Sequence, residues 1–152
     1  MKRYFTYLIL LCFILVGCNR DDKEPHFNVL GYWNISSINT GWTNEVLVGE
    51  KIEFQERYIF NDDGTFIKFS TRNQSTGERL NEPAQALGVY ESVSLKDSDN
   101  VFELTLTFET NMGMAANCGG NVETLVLTKE NKLINNSWTP CDGPSFVYQK
   151  KQ

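Results

Sequence analysis

An all-β domain of about eight short antiparallel strands is what this sequence predicts, and three observations predict it. Apolar and polar residues alternate with period two in run after run. Clusters of Gly, Asn and Asp separate those runs at hairpin spacing. No stretch carries a sustained helical period.

The series opens with "LGYWNISSI" (30–38). "ERYIFNDDGTFIKFS" (56–70) reads as two strands around Asn61-Asp62-Asp63-Gly64, because Asp and Gly tolerate the left-handed conformations of a tight hairpin. "ALGVYESVSL" (86–95) is a further strand. "VFELTLTFE" (101–109) is the clearest: Phe102, Leu104, Leu106 and Phe108 share one face, and Glu103, Thr105 and Thr107 share the other. "NVETLVLTKENKLINNSW" (121–138) makes a second hairpin, turning near Glu130 and Asn131, and "PSFVYQKK" (144–151) closes the series. The stretches 71–84 and 110–120 read as loops, and Pro83 near the start of "NEPAQAL" (81–87) suits one helical turn.

The N-terminus is different in kind. Lys2 and Arg3 precede "YFTYLILLCFILVG" (4–17), which is too short for a membrane span of roughly 20 apolar residues. It suits the apolar core of a secretory signal. The stretch ends Leu15-Val16-Gly17-Cys18, which resembles the lipobox of bacterial lipoproteins. That resemblance implies cleavage before Cys18 and lipidation of Cys18, which anchors the chain to a membrane. Two or more acyl chains anchor stably where one binds marginally. The polar run Asn19-Arg20-Asp21-Asp22-Lys23-Glu24 then reads as a solvated tether. Asn19 and the acidic residues behind the cysteine resemble outer-membrane and surface-export signals. The expected division is a signal peptide at 1–17, a lipidated tether at 18–27 and one domain at 28–152.

Cleavage leaves 135 residues of the 152, enough for a single core. Losing Lys2 and Arg3 takes the formal net charge from −5 to −7. So acidic a chain with no basic cluster is a poor partner for nucleic acid. With Cys12 in the signal and Cys18 lipidated, Cys118 and Cys141 remain, an even pair in an oxidising compartment. A disulfide is the favoured reading; zinc wants four ligands, and neither cysteine has a near Cys or His.

Eight antiparallel strands fit a sandwich or an up-and-down barrel. An immunoglobulin sandwich places a Trp between two cysteines, whereas Trp33 precedes both here. Gly31-Tyr32-Trp33 on the first strand resembles the G-x-W signature of lipocalins. The "FNDDGTF" hairpin, "GVY", the alternating strand, "NKL" and the closing "FVYQK" follow the same layout. The resemblance covers Leu30 to Lys150 and implies an eight-stranded lipocalin-like barrel. It departs where the signature Trp is usually covered by an Arg: this chain offers only Lys150 and Lys151.

Residues able to carry chemistry are few. His26 is the only histidine and lies in the tether, so neither Ser-His-Asp nor Cys-His catalysis has a base. Asp62 and Asp63 are turn neighbours rather than a pair facing across a cleft. "DSDN" (97–100) lacks a third oxygen ligand at Val101 and the following Gly of a calcium loop. Met112, Met114 and Cys118 could suit copper only if Cys118 is not bridged. No cofactor and no catalysis are therefore expected. The expected role is a surface lipoprotein binding a small apolar molecule or a glycan, with Trp42, Trp138 and Tyr90 as candidate contacts. The expected lining includes Phe60, Phe69, Tyr90, Leu104, Leu106 and Leu127. The alternative is a packed barrel that meets a protein partner or serves the envelope structurally.

Overall fold

The structure is a computed structural model that describes residues 27–43, 45–74, 76–96 and 99–151. The expected signal, Cys18 and most of the tether lie outside the described residues. Nine strands follow in chain order: β1 Gly31–Asn39, β2 Val46–Val48, β3 Glu56–Phe60, β4 Thr65–Arg72, β5 Arg79–Ser94, β6 Asn100–Phe108, β7 Val122–Thr128, β8 Lys132–Asn135 and β9 Ser145–Lys150. Every pairing is antiparallel between neighbours, and β1 also pairs with β9. The sheet closes into an eight-stranded up-and-down barrel, lipocalin-like in architecture, with one extra strand.

The extra strand is β2. It pairs with Ser37–Asn39 of β1, while β3 pairs with Gly31–Asn34 along the same edge. β2 and β3 thus act as one wall strand interrupted by a 3₁₀ turn at Gly49–Lys51. Ile35 and Ser36 fall between the two pairings, at a bulge in the β1–β9 register. Ser36 answers the irregularity by donating its hydroxyl to the Val147 carbonyl at 3.0 Å.

Period two sets the inside. Trp33, Tyr58, Phe60, Phe66, Leu104, Leu106, Phe108, Leu125, Leu127, Leu133, Phe146 and Tyr148 are buried together. Burying each such side chain is worth roughly 1.5–3 kcal/mol. The rings contact edge to face: Phe66 on Phe108 with centroids 4.9 Å apart, and Phe60 on Tyr90 and Tyr58 on Tyr148 at 5.0 Å. Gly88 makes this possible, because it stands opposite both Phe66 and Phe108 in the ladders. A Cβ at Gly88 would collide with the Thr107 carbonyl and come within 2.7 Å of the Phe66 ring.

Segments of the chain cover both ends. Phe27 and Val29 pack against the core at one end. There the Trp33 indole donates to the Val29 carbonyl at 2.6 Å. Lys150 Nζ lies 5.6 Å over the Trp33 ring and donates to the Asn28 carbonyl at 2.7 Å. A lysine therefore does what the lipocalin resemblance assigns to an arginine. At the other end the β6–β7 loop turns inward and buries Met114, Ala115 and Ala116.

Two expectations are corrected. Pro83 starts no helical turn; it lies within β5, a strand of 16 residues, and most of 71–84 is strand rather than loop. Pairing of β5 with β6 begins only at Gly88, so Pro83 sits where β5 has a neighbour on one side and its missing N–H costs no ladder bond there. Phe69 faces outward. Glu56, Tyr58, Phe66, Lys68 and Ser70 occupy the inward positions of β3 and β4 instead.

Candidate functional site

Three inward positions carry charge, and the barrel brings them together. Glu56 comes from β3, Lys68 from β4 and Glu123 from β7; Lys68 and Glu123 are fully buried and Glu56 is 3% exposed. Lys68 Nζ donates to Glu123 Oε1 at 2.8 Å and to the Met114 carbonyl at 3.0 Å, and lies 3.4 Å from Glu56 Oε1. Tyr58 donates to Glu123 Oε2 at 2.5 Å, and Tyr148 donates to Glu56 Oε1 at 2.6 Å. Gln74 Nε2 donates to Glu56 Oε2, and the Ala116 N–H donates to Glu123 Oε1, each at 2.5 Å.

Each of the four carboxylate oxygens accepts at least one bond. The cluster sets one lysine between two glutamates, and hydroxyl, amide and backbone donors surround the carboxyl groups. Burial acts to lower the Lys68 pKa, but the attraction of Glu123 and then Glu56 outweighs it, and the net shift is upward. Burial, reinforced by the neighbouring carboxylates, raises Tyr58 and Tyr148 well above the ordinary phenol value. The cluster holds its protons tightly and is shut off from solvent. It is a buried polar network that ties strands β3, β4, β7 and β9 together, and within it only the Gln74 Oε1 is buried without a hydrogen-bond partner among the described residues.

The expected contact residues do not converge. Trp42 is 83% exposed in the β1–β2 turn. Trp138 lies in the β8–β9 loop at the same end, but its indole donates to the Asn117 carbonyl and its ring packs on Phe146 with centroids 6.0 Å apart. Tyr90 stands toward the opposite end, donating to the Asn61 carbonyl at 2.8 Å. Cys118 and Cys141 form a disulfide joining the β6–β7 and β8–β9 loops, so Cys118 has no free thiolate for copper. Among the described residues no group of three or more His, Cys, Asp or Glu could hold a metal ion.

Two hollows among the described residues lie on the outside of the barrel wall. One hollow of about 420 Å³ crosses the outer face of β1, β3, β4 and β5. Asn34, Arg57, Phe69 and Gln85 form its first row, each directly opposite the next in the strand register. Gln55, Thr71 and Pro83 form a second row beside it. A second hollow, of about 530 Å³, opens at the break between β2 and β3 and shares Asn34 and Gln55 with the first.

Sequence reasoning missed both features, though the charged cluster left a signal. Glu56 shares a face with Tyr58 and Phe60, Lys68 with Phe66, and Glu123 with Leu125 and Leu127. A charge in phase with an apolar face, three times over, is the mark of a buried network. No protein-family model, curated protein or solved structure matches this chain. The molecule is thus defined by its own geometry: a closed barrel with a packed, partly charged core and a hollow of mixed polar and apolar lining on its outer wall.

Proposed function

We propose that this chain is a lipoprotein anchored at Cys18 to the bacterial outer membrane and exposed at the cell surface, and that its barrel is a non-catalytic module that binds a glycan on its outer wall. The filled interior carries this reading. Aromatic rings in mutual contact and the Lys68 cluster occupy the space where a lipocalin-like barrel would hold an apolar ligand. That supports the glycan over the small apolar molecule, because the outer hollow is rimmed by amide, hydroxyl and guanidinium groups. Among the described residues, the side-chain amides of Asn34, Gln55 and Gln85 form no hydrogen bond within the protein. The disulfide agrees with an exported protein.

The test is a glycan array probed with the full chain extracted in detergent, beside a Thr71→Trp variant that fills the hollow. A discrete set of bound glycans, lost in the variant, is expected. An array with no bound glycan sinks this reading and favours the second one. That second reading rests on Trp42, whose exposed indole is a typical anchor for a protein partner.

A further inference from the structure

We infer that the outer hollow recognises an acidic glycan, a sugar chain carrying a carboxylate, and that Arg57 is the residue that grips the carboxylate. The inference rests on the glycan reading above and goes beyond it by naming the charge of the ligand.

Arg57 is the starting point. Its guanidinium lies 4.6 Å over the Phe69 ring centroid. Phe69 is therefore a shelf for the arginine rather than a core residue, which explains an aromatic on the outer face. A guanidinium held over a ring by cation–π attraction keeps N–H groups for a carboxylate, which it can grip in bidentate fashion. Among the described residues Arg57 forms no ion pair with any carboxylate. Arg57 is thus an exposed cation on the outer wall with no carboxylate partner of its own among the described residues, which leaves it available to an anionic ligand.

The flanking groups suit a sugar. Asn34 and Gln85 stand on either side of the Arg57–Phe69 pair in the same cross-strand row, and amides can both donate to and accept from hydroxyls. Glu56 also borders the hollow, but its carboxylate turns inward, where Tyr148, Gln74 and Lys68 occupy it. It opposes an incoming anion less than an exposed acid would. The second hollow shares Asn34, Gln55 and Glu56 with the first and is also lined by the exposed acid Glu50, so the carboxylate belongs at Arg57 and the second hollow takes uncharged sugars of the same chain.

Arg57→Gln and Arg57→Lys, each on the full chain in detergent, test the inference against a set of uronate- and sialate-bearing oligosaccharides, their neutral counterparts and sulfated analogues. The carboxylated members should bind, the neutral ones about tenfold more weakly or worse, and Arg57→Gln should erase the difference. Arg57→Lys keeps the charge and loses the fork, so it should fall between. Arg57 is exposed on the outer wall, and an unchanged melting temperature will show that both variants fold. Preference for neutral sugars, or for sulfated ones alone, overturns the carboxylate assignment and leaves the glycan reading standing. Carboxylated binding untouched by Arg57→Gln overturns Arg57 as the gripping residue. Absence of any binding removes the glycan reading, and this inference falls with it.

Discussion

Lys68 Nζ lies 2.8 Å from Glu123 Oε1, and both side chains are wholly buried inside the barrel. Together with Glu56 they form a network in which each partner is hydrogen-bonded to groups on other strands. Removing one charge leaves the others stranded in a place water does not reach. Lys68→Met should therefore destabilise the fold by about 3–5 kcal/mol. Adding Glu123→Leu to that variant should recover part of the loss, because a neutral apolar pair replaces an orphaned acid. Urea denaturation of the single and double variants measures both. A single variant as stable as the parent would show that the network does not hold strands β4 and β7 together.

The same cluster sets an alkaline limit. Lys68, Tyr58 and Tyr148 all have folded-state pKa values raised above their ordinary values of 10.5 for Lys and 10.0 for Tyr. A raised value means the fold prefers the protonated form. The stabilisation is fully present below the unfolded-state pKa and is lost as pH climbs from there through the folded-state values. The unfolding free energy should hold steady through neutral pH and fall above about pH 10. Phenolate absorbance should rise together with loss of fold for Tyr58 and Tyr148.

The disulfide should act on the barrel's end as well as on its stability. Cys118 and Cys141 are 23 residues apart in sequence, a span worth about 3 kcal/mol in the chain-entropy account. Cys118 also lies two residues from Ala116, whose N–H feeds Glu123. Its partner loop holds Trp138, which bonds to Asn117. The Cys118→Ser, Cys141→Ser double variant should lose about that much stability, and Trp138 fluorescence should shift as its packing loosens. Equal midpoints in denaturant for parent and variant would show that the loops hold without the bond.

Gly88→Ala should be among the most damaging single-methyl changes in the molecule. The added carbon meets the Thr107 backbone and the Phe66 ring at once, and neither can retreat without breaking a ladder or the ring contact with Phe108. A cost of about 3 kcal/mol is expected, at the upper end for overpacking. The melting temperature reads it directly. Pairing the change with Phe66→Leu should restore part of the loss, which would separate crowding by the ring from crowding by the backbone.

Much of the fold was legible because strand alternation is a local property. Leu104, Leu106 and Phe108 announce their inward face within nine residues, and Asn61-Asp62-Asp63-Gly64 announces its hairpin in four. The outward position of Phe69 was not legible, since both faces of "TFIKFS" carry apolar residues and only the neighbours decide which is inside. Pro83 misled for a related reason: a proline breaks a strand paired on both sides and is harmless in one paired on a single side. No local pattern reveals how many neighbours a strand will have.

By itself the sequence determined the all-β class, most of the strands and turns, and a cysteine pair suited to bonding. These follow from side-chain period and turn chemistry, which act over a few residues. Tertiary structure decided that β1 meets β9 and closes the barrel. It decided too that Glu56, Lys68 and Glu123, from three separate strands, share one buried network, and that Asn34, Arg57, Phe69 and Gln85 line up on the outer wall. The physical reason is register. Which residue faces which across a sheet depends on how strands are offset and on the closure of the whole, and that information exists only once every strand has found its neighbours.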